Sequence, residues 1–253
     1  MNVRSNINQE ILGFKIYNGN CSDLINQCYK SNTAKTITTL NIHSFIEQRK
    51  DNKFRNSLKK SDWILPDGVG IVVAAKILHK ITILKISGFD IFLEAMKSAN
   101  KGHKKVMFFG STTSVLEMIE KKIQLDYPNV SFKTFSPDFK SEFNEKDFKH
   151  FSEEINNFSP DFLFLGLTAP KQEKLAQALK NKVNVKAIFC IGAVFDFYSN
   201  NIRRPSSFWI DNNLEWFGRL LANPSKLLPR LLSIPLFFFI LFKKYFKMKL
   251  IKK

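Results

Sequence analysis

The sequence predicts a mostly parallel α/β sandwich with a helical C-terminal appendage, and three observations lead there. Apolar stretches alternate with amphipathic ones through residues 1–200. That βαβα order builds a parallel sheet covered by helices on both faces. Phe162-Leu163-Phe164-Leu165 is wholly apolar, as suits a strand buried on both sides. After about residue 200 the strand signals stop, and the chain turns helical in pattern, aromatic and basic. Residues 1–200 therefore read as the body and 201–253 as the appendage.

Strand patterns fall near 14–17, 35–40, 62–65, 81–86, 104–109, 130–135, 161–166 and 186–191. Helical patterns lie between them at 22–30, 69–79, 89–100, 112–126, 145–158 and 170–181. In open α/β sheets ligands bind beyond the carboxyl ends of the strands. The strand-to-helix turns are therefore the candidate site.

Thr39 and Asn41 end the second strand and offer a hydroxyl and an amide near the crevice. Asp67 closes the next strand in Leu65-Pro66-Asp67-Gly68-Val69-Gly70. It either caps the following helix or acts as a general base on a substrate hydroxyl. A helix N-terminus keeps such a carboxylate ionised but makes it a weak base. Gly68 and Gly70 permit a ligand to approach the backbone. The segment is not GxGxxG, so a dinucleotide fingerprint is unsupported. Ile86-Ser87-Gly88-Phe89-Asp90 ends a fourth strand, and Asp90 either holds sugar hydroxyls or caps a helix. Gly110 and Ser111 sit in a turn that suits a phosphate or a cap equally. Pro170 is placed to open a helix at its first turn. Lys171, Gln172 and Glu173 follow it. Free N–H groups and the Lys171 charge favour an anion there, against the plainer reading of a capped helix with a solvated Lys. Arg203, Arg204, Arg219 and Arg230 are further cations able to grip phosphate; singly, each also reads as a surface charge.

The net charge of +17 points to nucleic acid, an anionic membrane or a phosphorylated substrate. Its distribution favours the membrane. The apolar run 231–242 precedes Lys243, Lys244, Lys247, Lys249, Lys252 and Lys253. That run is too short to span a bilayer, which takes roughly 20 residues. It reads as an interfacial anchor on an anionic leaflet, or else as a core helix with a solvated tail. A nucleic-acid binder would instead carry a basic stripe with interleaved exposed aromatics. The first ten residues lack an apolar stretch of the secretory type. Cys21, Cys28 and Cys190 form no CxxC pair and read as core thiols of a reducing compartment. His43, His79, His103 and His150 are scattered and read as structural or exposed. No HExxH or DxD motif occurs, so no metal or other cofactor is expected.

The blocks TTLNIHSF, DWILPDGVGIVVAAK, ISGFD, VMFFGS, PDFLFLGLTAPKQEK, CIGAVFDFYSNNIRRP and LEWFGRLLANPSKL occur in that order. Together they resemble the WecG/TagA/CpsF glycosyltransferase family over about residues 11–230. The resemblance implies a Rossmann-like body and inverting transfer of a sugar from a UDP-sugar. The sugar would be N-acetylmannosamine, its uronic acid or a related hexose. The acceptor would be a polyprenyl-diphosphate-linked N-acetylglucosamine at the cytoplasmic face of a membrane. The product would serve teichoic acid, capsule or exopolysaccharide synthesis. The resemblance casts Asp67 as the base, with Thr39 and Asn41 beside it, Gln172 as the glutamine of the PKQE block and Arg219 as the arginine after Glu-Trp. Gly68, Lys85, Gly88, Asp90, Gly110, Ser111, Lys171 and Arg230 complete the expected substrate-binding set. Lys85 stands where the family often has Arg, and it loses the bidentate fork. Without a metal, Arg219, Arg230 and Lys171 would neutralise the leaving UDP. A homo-oligomer is compatible with this reading. A nucleic-acid-binding protein or a non-catalytic nucleotide-binding module is the alternative.

Overall fold

The computed structural model describes residues 8–211, 215–222, 224, 228 and 231–251, and of residues 207, 211, 219, 222 and 251 the backbone alone. One sheet holds β1 (Asn8–Ile11), β2 (Phe14–Tyr17), β3 (Lys35–Leu40), β4 (Trp63–Pro66), β5 (Lys105–Gly110), β6 (Ser131–Phe135), β7 (Phe162–Gly166) and β8 (Ala187–Cys190). Their spatial order is β1-β2-β4-β3-β8-β7-β5-β6. Every neighbouring pair is parallel except the β1–β2 hairpin.

The helices are α1 (Cys21–Lys30), α2 (Ile42–Glu47), α3 (Asn52–Lys59), α4 (Val69–His79), α5 (Gly88–Lys101), α6 (Thr113–Asp126), α7 (Glu145–Phe158), α8 (Lys171–Leu179), α9 (Val194–Tyr198), α10 (Ser207–Asp211), α11 (Glu215–Ala222) and α12 (Ser233–Ile251). Side-chain capping starts many of them. Asn20, Asn41, Asp51, Ser87, Thr112 and Asn144 each accept a hydrogen bond from a backbone N–H of the first turn, satisfying one of the donors a helix start leaves open.

Strand side chains alternate between two helical layers. Phe162 and Phe164 join Phe108 and Phe189 in a cluster with Phe92, Ile119 and Phe195 of α5, α6 and α9. Leu163 and Leu165 face the other way, toward Phe151 and Ile155 of α7 and Leu175 and Leu179 of α8. Phe92 meets Phe164 at 5.2 Å and Tyr198 at 5.0 Å, both edge to face. Such pairs add about 0.5–1.5 kcal/mol beyond the area they bury. At the other end of the strands, Asp62 ties α8 down. Its Oδ2 accepts from Thr36 N at 2.8 Å and Lys180 Nζ at 2.7 Å. Burial pushes the Asp62 carboxyl up, but the hydrogen bonds from Lys180 and Thr36 outweigh it and hold the group below its usual range.

The expected strands recur within a residue or two, with one exception. Residues 81–86 run extended but pair with no strand. β4 already has β2 on one side and β3 on the other, so no edge is open to them. Their burial does not keep a strand's period of two: Ile83 and Ile86, three apart, are both buried while Leu84 is 62% exposed. A single backbone bond, Ile86 N to Pro66 O at 3.0 Å, fastens the segment.

The C-terminal helix is part of this core. Phe237 and Leu241 of α12 are fully buried among Phe14, Phe45 and Ile71, and Phe237 meets Phe45 edge to face at 5.4 Å. Phe239 on the same helix is 66% exposed. Phe237→Ala should therefore cost about 3–5 kcal/mol in urea unfolding. Phe239→Ala should change stability by less than about 0.5 kcal/mol. Equal effects would mean that α12 does not dock on the body.

Candidate active site

The loops leaving β3, β4, β7 and β8 surround a cavity of about 490 Å³. β3 and β8 are neighbours. From β3 the chain passes to β4 on one side, and β8 is reached from β7 on the other. The strand order reverses at this point, which splays adjacent loops apart and opens a crevice. Thr39, Asn41, Asp67, Gly88 and Gln172 all line it.

These expected residues reach the crevice in different ways. Thr39 and Asp67 come from adjacent strands whose ends are held in register, Thr39 opposite Leu65 and Leu40 opposite Pro66. Asn41 caps α2 as well: its Oδ1 accepts from Ser44 N at 3.0 Å, and Ser44 Oγ accepts from Asn41 N at 2.9 Å. Gly68 precedes α4 at φ 83°, a left-handed conformation that favours glycine. It turns the chain beside Asp67 but does not itself line the cavity. At Gly88 an added Cβ would lie 3.3 Å from Ile191 O and Val194 Cγ2, so α5 starts hard against the β8–α9 turn. Gln172 is buried, and its Oε1 accepts from Gly192 N at 2.9 Å.

Other expectations are not met at the cavity. Lys171 points elsewhere: its Nζ donates to Lys140 O and lies over the Phe139 and Phe143 rings at 5.2 and 5.3 Å. The side chain at the first position of α8 leans outward over the neighbouring loop, not over the helix end. Asp90 forms a reciprocal capping box with Ser87 and does not line the cavity. Gly110, the last residue of β5, and Ser111 after it do not line the cavity. Gly110 is there for close packing: at φ 114° a Cβ would sit 2.9 Å from Gly166 O. Lys85 lies on the extended 81–86 segment and does not line the cavity either. Arg219 lies on α11, where its backbone alone is described, and Arg230 lies outside the described residues.

The crevice also holds residues outside the expected set: His43, Glu173, Asp196, Arg203 and Glu215. His43 reaches back to the C-terminal helix, its Nδ1 3.3 Å from Ser233 Oγ. Asp196 orders the turn before the appendage, accepting from Asn201 Nδ2 at 2.9 Å and, through its carbonyl, from Ile202 N at 3.0 Å. Glu173 is 2% exposed, and burial raises its carboxyl to about 7. Arg203 supplies a cation that the RRP sequence advertised without saying which arginine faces inward. Arg204 instead binds the appendage. Its Nη2 donates to Glu215 Oε2 at 3.4 Å, and its guanidinium lies 4.4 Å from the Phe89 ring centre. Gly218 lets α11 close on this segment, since a Cβ would meet Pro205 Cβ at 3.0 Å and Trp209 Cγ at 3.1 Å.

Fold and crevice define an α/β protein with a candidate site at the carboxyl edge of a mostly parallel sheet. The chain belongs to the glycosyl transferase WecG/TagA/CpsF family, whose model matches residues 9–250. It is 32% identical over 199 residues to a protein of Bacillus subtilis (strain 168), covering 79% of this chain and 75% of the relative. A relative in Bacillus spizizenii is 30% identical over 204 residues, 81% and 77% of the two chains. One in Staphylococcus aureus (strain MRSA252) is 28% identical over 192 residues, 76% and 73%. All three carry the name N-acetylglucosaminyldiphosphoundecaprenol N-acetyl-beta-D-mannosaminyltransferase.

Replacing Arg204 by Ala removes both the Glu215 pair and the stack on Phe89. Losing about 1–2 kcal/mol of docking should raise the undocked population of α11 roughly 5- to 30-fold. Chymotrypsin should then cut faster among Phe208, Trp209, Trp216 and Phe217. An unchanged cleavage rate would show that Arg204 does not hold the helix.

Proposed function

We propose that the protein transfers an N-acetylmannosaminyl group, or a closely related hexose, from a UDP-sugar to N-acetylglucosamine on a polyprenyl diphosphate. The relatives' names describe such an acceptor and such a transferred group. The observation that carries the reading is the presence of Asp67 and Thr39, from neighbouring parallel strands, in one cavity with the first turn of α8. Asp67 accepts the proton of the acceptor hydroxyl as its oxygen attacks the anomeric carbon. A new C–O bond forms, the bond from that carbon to the UDP oxygen breaks, and the configuration inverts. Thr39 and Gln172 offer hydrogen bonds to the sugars. The negative charge growing on UDP calls for fixed positive groups. Arg203 lines the cavity and replaces Lys171 as a candidate, joined by Arg219 and Arg230 of the appendage. The reaction is proposed to need no metal.

Transfer from a panel of UDP-sugars to a short-chain acceptor, with EDTA present, tests the reading. One donor should give product by mass spectrometry. Asp67→Asn should lower turnover by about 10²–10⁴ with the fold intact by circular dichroism. No product from any donor, with or without added metal, would refute the reading, and near-normal turnover of Asp67→Asn would remove the base.

The acceptor class brings the membrane into the proposal. Among the described residues no helix is long and apolar enough to cross a bilayer. α12 is 19 residues long and, while burying Phe237 and Leu241, exposes Leu236, Phe239, Phe242, Phe246 and Leu250. Lys243, Lys244, Lys247 and Lys249 lie on the same helix. An apolar face among lysines suits in-plane docking on anionic lipid. Removing the helix would also strip two core residues, so point changes test this better. Phe239, Phe242 and Phe246 replaced together by Ser should abolish flotation with anionic vesicles and leave melting nearly unchanged. Undiminished flotation would refute docking through this face.

A further inference from the structure

Among the described residues, Glu173 is the one acidic or basic side chain buried to 2% exposure, and it borders the crevice. Its Oε1 accepts from Gln172 Nε2 at 2.9 Å. The Gln172 Oε1 in turn accepts from Gly192 N at 2.9 Å. Beneath them, Cys190 Sγ approaches Gln172 O at 3.6 Å. The Gln172 carboxamide is therefore held at both ends. Turning it over would set its N–H₂ against the Gly192 N–H and lose that bond whichever protonation state Glu173 holds. Glu173 Oε2 has no hydrogen-bond partner among the described residues.

We propose that Glu173 is a positioning residue for the sugar transfer proposed above: its buried carboxyl sets the Gln172 carboxamide so that the remaining N–H meets the substrate. This inference rests on the transferase reading for its kinetic test. A glutamine that recognises a hydroxyl is useful only when its donor and acceptor ends are fixed, because the two ends have the same shape and opposite polarity. Gly192 alone fixes the oxygen, and Glu173 fixes the nitrogen. Burial raises the Glu173 carboxyl to about 7 despite the hydrogen bond from Gln172. The acid is neutral below that pH, and its hydroxyl sits on one carboxyl oxygen while the other serves Gln172. Above it, a buried negative charge appears under a crevice meant for a diphosphate.

The surroundings offer that charge little compensation. β8 presents the Cys190 thiol, itself pushed up by burial and by Glu173. β3 and β7 present Thr38, Leu163 and Leu165. The ion pairs joining α8 to its helical neighbours run through other residues: Lys174 with Asp51 before α3 at 2.7 Å, and with Glu142 before α7 at 3.7 Å. On α8 itself Lys171 is turned onto Lys140 O. The next residue after it, Lys180, binds Asp62. Across the cavity stand His43, Asp67, Asp196, Glu215 and Arg203.

The full chain in detergent, with Glu173→Gln and Glu173→Ala, tests the proposal between pH 6 and 8.5. Glu173→Ala should lower kcat/KM for the UDP-sugar about tenfold, the size of one lost hydrogen bond. Glu173→Gln, whose amide oxygen still accepts from Gln172, should restore it at pH 6. Donor KM should rise above pH 7 in the wild type and stay flat in Glu173→Gln. Identical pH profiles for these two, or an undiminished kcat/KM in Glu173→Ala, would overturn the role. If Glu173→Ala does not fold, the comparison of wild type with Glu173→Gln still decides. Crystal structures separate this proposal from the transferase reading. Release of Gln172 from Gly192 in Glu173→Ala but not in Glu173→Gln supports the positioning role even for an inactive wild type, which would refute the transferase reading alone. Gln172 unmoved in both variants overturns the positioning role.

Discussion

The parallel ladder β4-β3-β8-β7 is the constraint on which the rest depends. Backbone bonds hold these strands in one register, and side chains at or near zero exposure seal both faces. Phe162, Leu163, Phe164 and Leu165 cannot slip by one residue without exchanging the two layers of core that claim them. Because the strands are locked, the residues just past their carboxyl ends share a rim. Thr39, Asp67, Leu167 and Gly192 meet there from distant parts of the chain. The chemistry of the crevice is thus a consequence of burial several residues away. Asp62 secures the opposite edge, binding Lys180 at the far end of α8. α8 is then held at one end by a charge and at the other by the Gln172–Gly192 bond.

The C-terminal helix links this rim to the outside. Its Phe237 and Leu241 complete a cluster otherwise built from β1–β4 and α2–α4. Ser233 at its start lies beside His43, which lines the crevice. Its other side shows apolar residues to solvent. One helix thereby serves three environments, and its unusual composition follows: it is apolar almost all round at its start and studded with lysine toward its end. Of the two readings open from its sequence, the core helix holds for the side of Phe237 and Leu241, and the exposed apolar side is the one that the proposed lipid docking would use.

How legible this was depended on whether a signal was local. Helix 145–158 stands where its pattern put it, with Asn144 as its cap, because turn chemistry and an apolar stripe are written in neighbouring residues. The segment 81–86 is apolar enough for a strand, yet pairing needs a free sheet edge, and edges are set by topology. β1 escaped notice since Asn8-Gln9-Glu10-Ile11 carries a single apolar residue and pairs at the sheet margin. Asp67, Thr39 and Gln172 were found because ligands gather where strands end. Lys171 was placed one step wrongly: its position at the helix start was right, but the direction of a long side chain is decided by neighbours such as Phe139 and Phe143. Glu173 was passed over for a related reason. An acidic residue in a first helical turn ordinarily faces water, and nothing local says that this one is buried.

Charge gives these placements a common logic. The crevice wall carries Asp67, Asp196, Glu215 and Glu173 against Arg203, and Arg204 is already committed to Glu215 and Phe89. Four carboxyl groups around one cavity repel one another unless some are neutral or paired. Glu215 is paired with Arg204, and Asp196 accepts from Asn201. Glu173 is kept near neutrality by burial. Asp67 stands apart from these three, at the end of β4 and next to the β3 end that carries Thr39. The crevice thus draws its lining from two pieces of structure, the strand ends that carry Thr39 and Asp67 and the C-terminal segment that carries Arg203 and Glu215.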